Sequence, residues 1–227
     1  MSAADRVLVD AVRTALAGAA DPSRAPAMQA YMKSALPFYG VARPERDAAL
    51  KPVWAAHPLD DRGTWEATVR ALYDEAAYRE ERYAALALLA REKRWRDPDA
   101  VPLIEHLVVV GAWWDLVDET AGRTVAPLLR GHREAMTPVV LGWSQSDDLW
   151  LRRTSVLAQL GKGEVDRDLL TAVVLAASPS KEFFLRKAIG WALRDVAHRD
   201  PDWVRGFLAE HGGQLSPLSV REASKHL

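Results

Sequence analysis

Lys181-Glu182-Phe183-Phe184-Leu185-Arg186-Lys187-Ala188-Ile189-Gly190-Trp191-Ala192-Leu193-Arg194-Asp195 carries the clearest helical period of the chain. Leu185, Ala188, Ile189, Ala192 and Val196 recur at intervals of three and four, which lines one face of an α-helix and marks it for burial. Trp191 falls on the other side, with Lys187, Arg194 and Asp195 as its helical neighbours. That is a poor place for a core tryptophan unless another helix covers it. An indole framed by cations suits an aromatic or sugar target flanked by phosphate, and Gly190 lets a second backbone or a ligand come close.

Outward from this stretch the same period governs the chain, and no alternating β-branched run bounded by turns argues for a sheet. Punctuation falls at Asp21-Pro22, Pro37 to Gly40, Arg43-Pro44, His57 to Gly63, Asp97-Pro98, Gly111, Gly131, Ser144 to Asp148, Gly161 to Gly163, Ser178-Pro179 and Asp200-Pro201. The segments between have roughly the 10 to 18 residues of ordinary globular helices. Starts are expected at Thr64, at Asp97 before Pro98, and at Ser180. About a dozen short helices without a linker or a shift in composition predict one domain over residues 1–227. It is an all-α solenoid of right-handed type, built from stacked HEAT-like helical pairs with a concave face suited to an extended partner.

The 227 residues carry 30 Lys and Arg against 31 Asp and Glu, a formal charge of −1, which excludes a uniformly basic nucleic-acid coat but not a local basic face. Cysteine is absent, which excludes disulfides, thiol catalysis and cysteine-ligated metal. The apolar stretches Leu169 to Ala177 and Leu107 to Trp114 fall short of the roughly 20 residues that span a membrane. Near the amino terminus Val7, Leu8, Val12 and Leu16 keep helical spacing while Asp5, Arg6, Asp10 and Arg13 interrupt any signal-peptide core. Nine tryptophans are more than packing ordinarily uses.

Three further stretches carry chemistry. In Gly111-Ala-Trp113-Trp114-Asp115-Leu-Val-Asp118-Glu119, Trp114 and Asp118 share a helical face, while Trp113 lies nearer the apolar side. Asp118 has no cation three or four residues away, and the like charge of Asp115 favours its protonated form. The structural alternative is a solvated surface acid. In Asp147-Asp148-Leu-Trp150-Leu-Arg152-Arg153, Arg152 is placed to pair with Asp148 at four residues' distance. Arg153 has only apolar helical neighbours and needs a counter-ion outside its own helix: another helix, a phosphate or a carboxylate ligand. Tyr31-Met-Lys33-Ser-Ala-Leu-Pro37-Phe38-Tyr39-Gly40 reads as a tight, packed connection. The basic run Arg91, Lys93, Arg94 and Arg96 reads as a solvated helix end, and Arg221 and Lys225 are four apart on one face. The histidines show no metal-ligand spacing and no phosphate-binding glycine loop occurs, so neither metal nor cofactor is expected.

In this order and at these separations, the words Tyr-Met-Lys with Pro-Phe and Gly, Trp-Trp-Asp-x-Val-Asp, Leu-Trp-Leu-x-Arg, and Ser-Lys-Glu-Phe-Phe with Lys-Ala-Ile-Gly-Trp-x-Leu-Arg resemble the AlkD family of bacterial alkylpurine DNA glycosylases. The resemblance runs from about Tyr31 to Leu227. It implies a curved stack of HEAT-like pairs holding duplex DNA that contains alkylated purines. It gives Asp118 the catalytic part, sets Trp114 and Trp191 against the lesion's deoxyribose, and puts Arg153 at the DNA backbone beside it. Tyr31 borders the same site, and Lys33, Trp113, Lys187, Arg194, Arg221 and Lys225 become substrate or DNA contacts. Val220 stands where a basic residue would be expected.

The implied reaction is hydrolysis of the N-glycosidic bond of N3- or N7-alkylated purines, with no Schiff-base lysine and with the nucleotide left stacked rather than flipped. The implied enzyme is a monomer of a bacterial cytoplasm, associated with the nucleoid. Two other classes fit the same scaffold: a non-catalytic binder of DNA structure, which has no need of Asp118, and a protein-interaction scaffold, which has no need of the four residues together. Segregation of charge is expected, with Arg153, Arg194, Arg221 and Lys225 toward phosphate and acids on the convex side.

Overall fold

A computed structural model describes residues 2–227, which fold into helices and connections with no strand among the described residues. Two compact units divide them, one running to Trp95 and the other Arg96–Leu227.

The first unit contains α1 (Arg6–Gly18), α2 (Ala25–Met32), α3 (Arg43–Ala56), α4 (Arg62–Asp74) and α5 (Arg79–Arg91). Leu8, Val9, Val12 and Leu16 of α1 are buried, and α1 packs on α3, α4 and α5. Val7, expected in that stripe, is exposed instead, because a 3.6-residue period starting from Leu8 and Val9 turns it to solvent. Helix α4 begins before the expected Thr64. Asp61 is the cap, its carboxylate accepting from the Thr64 N–H, and Trp65 lies fully in the core.

The connection into α3 is as tight as its residues imply. The fully buried Glu80 of α5 accepts from the backbone N–H groups of Tyr39, Gly40 and Val41 at 2.9 to 3.1 Å. Its neighbour Glu81 accepts from Arg13 and from the Tyr39 hydroxyl, and Tyr39 stacks on Tyr78 with ring centres 3.8 Å apart. Gly40 has φ +85°, and a Cβ there would fall 2.0 Å from the Asp21 carbonyl oxygen, so only glycine fits.

The second unit contains α6 (Val101–Gly111), α7 (Trp114–Thr120), α8 (Ala126–Gly131), α9 (Arg133–Ser144), α10 (Leu149–Leu157), α11 (Arg167–Ala177), α12 (Phe183–Ala197), α13 (Pro201–His211) and α14 (Pro217–Ala223). The pairs stack in chain order as an α-solenoid: α7, α10, α12 and α14 touch in succession to form one row, while α9 and α11 pack together behind it. Helices α7 and α8 run on through a π-helical turn, Ala121–Val125. Helix α12 starts at Phe183 rather than beside Ser180, whose hydroxyl instead accepts from the Glu182 N–H ahead of the helix.

Asp148 is spoken for as the cap of α10, accepting from the N–H groups of Trp150 and Leu151 at 2.8 and 2.9 Å. Arg152 therefore does not pair with it and reaches the Ala176 carbonyl instead. Asp148→Ala is expected to destabilise the fold by about 1 to 2 kcal/mol. The measure is a lower urea midpoint at unchanged m; an unmoved midpoint would show that the cap contributes nothing.

Candidate active site

The row α7, α10, α12 and α14 carries the chemistry-bearing residues of the second unit. Asp118, one turn after Trp114 on α7, meets Arg153 of α10 in a two-pronged ion pair. Arg153 donates from Nε to Oδ1 at 2.7 Å and from Nη2 to Oδ2 at 2.8 Å. Its Nη1 donates to the Phe184 carbonyl at the start of α12. Both side chains are largely out of water, with 5 % exposure for Arg153 and 13 % for Asp118. The counter-ion that Arg153 needed and the cation that Asp118 lacked are thus each other, supplied across two helices. A fork of this kind fixes both carboxylate oxygens in a plane and favours their ionised form.

Burial pushes the Asp118 carboxyl above its ordinary range, the Arg153 hydrogen bonds and charge pull it back, and Asp115 adds a smaller upward push. The net direction is up, because removing a carboxylate from water outweighs one cation.

Aromatic rings wall this pair. Phe184 meets Trp113 edge to face at 5.4 Å and Trp150 at 5.4 Å, and the Arg153 guanidinium lies 5.9 Å from the Phe184 ring centre. Trp113 is half-buried, and its indole N–H is shut away from water with no acceptor. Trp114 is half-buried on the same helix as Asp118.

Trp191 is also half-buried, and its surroundings are ordered by one acid. Glu222 of α14 takes Lys187 at 3.1 Å, Arg194 at 2.8 Å and Lys225 at 2.8 Å. Three expected DNA contacts therefore converge on a single carboxylate. The Lys225 ammonium, then Lys187, hold its pKa down to about 2. The close approach comes from Gly190, where a Cβ would fall 2.4 Å from Glu222 Cβ and 2.9 Å from the Ser219 carbonyl oxygen. Of the two partners that glycine allows, a backbone or a ligand, the structure supplies a backbone. Asp195 turns away, to the Gly161 N–H and Arg199. Arg221 is exposed, and Val220 is half-buried.

Tyr31 and Lys33 belong to the first unit. Tyr31 is 72 % exposed on α2, and Lys33 ends that helix in a left-handed conformation, φ 50°. Arg91 and Arg94 of the basic run are exposed. Arg91 pairs with Glu92, and Arg94 lies over the Trp95 ring.

A broad groove in the second unit runs along Arg133, residues 163–168, Arg199 and Asp200. It is crossed by the pairs Arg133 with Asp166 and Arg167 with Asp200 and touches none of the expected site residues.

Sequence reasoning missed Phe184, Trp150 and Glu222 as parts of the site. Glu222 had a signal, an acid three residues before Lys225; Phe184 lay in a motif read only as a word.

The DNA alkylation repair enzyme family matches over residues 12–227. The structure of a predicted DNA alkylation repair enzyme from Enterococcus faecalis is similar, with TM-score 0.80 and 29 % identity over 92 % of this chain and 96 % of that one. No curated protein matches the chain.

Proposed function

The chain belongs to the DNA alkylation repair enzyme family, and from that premise we propose that it is a monofunctional DNA glycosylase, hydrolysing the N-glycosidic bond of purines made cationic by alkylation at N3 or N7. The observation that carries this reading is the buried, Arg153-clamped carboxylate of Asp118, one helical turn from Trp114.

An alkylated purine already bears the positive charge that protonation would otherwise supply, so it leaves as a neutral base without a general acid. The difficulty passes to the deoxyribose, which becomes oxocarbenium-like at C1′. A fixed carboxylate stabilises that cation and holds the attacking water, as carboxylates do in glycoside hydrolysis. Burial strengthens the attraction by lowering the local dielectric, and Arg153 keeps the carboxylate ionised and aimed. The indole faces of Trp114 and Trp191 add attraction for a cationic sugar and exclude water. Most glycosylases extrude their target base into a pocket; here the lesion's own charge weakens the bond, and the nucleotide is read as staying stacked. With Asp118 and water as the agents, the product is an abasic site in an unbroken strand, the substrate class of later base excision repair steps. Residues 1–227 are read as acting on one duplex as one domain.

Incubation with methylated duplex DNA tests this. Free 7-methylguanine or 3-methyladenine is expected, with abasic sites and no strand cleavage. Tight, salt-sensitive DNA binding without base release would favour the non-catalytic DNA binder instead.

A further inference from the structure

The acid among the cations beside Trp191 is at first sight misplaced. A carboxylate next to a DNA site repels phosphate, and deleting it ought to tighten binding. Glu222 is nevertheless buried, with 7 % of its side chain exposed, and each of its three partners remains partly in solvent: 38 % for Lys187, 25 % for Arg194 and 48 % for Lys225. A lysine has three N–H donors and an arginine five, so even Lys225, which reaches both oxygens of Glu222, keeps a donor to spend outward, and Lys187 and Arg194 keep more.

The three come from different places in the chain: Lys187 and Arg194 lie on either side of Trp191 along α12, and Lys225 follows α14. Without a common acceptor, three like charges repel and their long side chains splay. With it, they form a cluster of net charge +2 whose geometry is set by a rigid contact, the bare Gly190 backbone against Glu222 Cβ and Ser219. Ser219 fastens α14 further, its hydroxyl donating to the Arg186 carbonyl at 2.9 Å.

We infer that Glu222 is a positioning residue, a buried carboxylate that fixes Lys187, Arg194 and Lys225 as one platform for a DNA phosphate beside the nucleotide held at Trp191. The acid serves anion binding by sacrificing one unit of charge for a fixed arrangement of the other two. This rests on the glycosylase reading for the part played at the lesion, while the phosphate platform itself needs only DNA.

The test uses the full chain with Glu222→Gln, Glu222→Asp and Lys225→Gln, thermal unfolding establishing that each is folded. Binding to undamaged duplex is measured against salt, and excision of 7-methylguanine is measured in single turnovers at saturating enzyme. Glu222→Gln is expected to bind undamaged DNA at least as tightly as wild type, with a steeper salt dependence, yet to excise about tenfold more slowly, because a misplaced substrate reacts poorly even when bound. Glu222→Asp recovers part of the rate. A merely structural part would not move the two readouts in opposite directions. Lys225→Gln, an exposed change that keeps Glu222, is expected to flatten the log–log salt slope by about one.

A folded Glu222→Gln protein that excises at the wild-type rate overturns the inference, and so does an unchanged salt slope in Lys225→Gln. A wild type that binds DNA but releases no base defeats the glycosylase reading alone. In that case the salt slopes still decide the platform.

Discussion

Asparagine at position 118 is expected to slow base excision by about 10²- to 10³-fold at saturating enzyme, with DNA affinity nearly unchanged. The amide has the volume of the carboxylate but no charge, so it keeps the packing against α10 and loses the attraction for the developing sugar cation. One amide oxygen still accepts from Arg153, and the Phe184 carbonyl holds Nη1, so the helices stay in register. Single-turnover release of 7-methylguanine, with binding to the same duplex as the control, measures the effect. A fully active variant would remove Asp118 from the chemistry.

The second large effect is on Arg153→Met, which keeps the aromatic packing of the side chain and deletes the fork. A buried carboxylate left without its cation is expected to cost roughly 3 to 5 kcal/mol of stability at neutral pH. The pH dependence separates this from simple loss of packing. Burial already pushes the Asp118 carboxyl up from its ordinary value, and Arg153 supplies both of the influences that hold it down, so its removal drives the carboxyl higher.

A group whose folded pKa lies above its unfolded value favours the fold when protonated and disfavours it as pH rises through the folded pKa. The deficit of Arg153→Met should therefore be greatest at high pH and shrink as acid neutralises Asp118. Excision needs the ionised form, so the acid limb of the rate profile should move to higher pH by the same cause. Denaturant midpoints across pH, beside single-turnover rates, read both. A deficit that ignores pH, with an unmoved acid limb, would mean that Arg153 does not govern the state of Asp118.

The helical character of the chain was legible because the apolar period is local: the stripe Leu185, Ala188, Ile189, Ala192 and Val196 is buried as its spacing demands. Boundaries were less legible where several residues compete to cap. Asp61 displaced Thr64, and capping duty took Asp148 from Arg152. At the site, sequence identified two ions lacking partners on their own helices but not that they were partners, since 35 residues separate them. Trp191 among cations was legible too. The acid that orders those cations left a local trace in its spacing to Lys225, but its bond back 28 residues to Arg194 was hidden, because no local pattern encodes such a reach.

The π-helical turn Ala121–Val125 follows Asp118 by three residues within a helix that otherwise runs unbroken from Trp114 to Gly131. A turn closed by i→i+5 bonds holds more residues than an α turn, so the angular phase of everything after it is offset from everything before it. That offset lets Asp118 bear on α10 while Leu128 and Leu129 bear into the core. A one-residue deletion in 121–125 would lock the two phases together, and one of the two faces would have to give way.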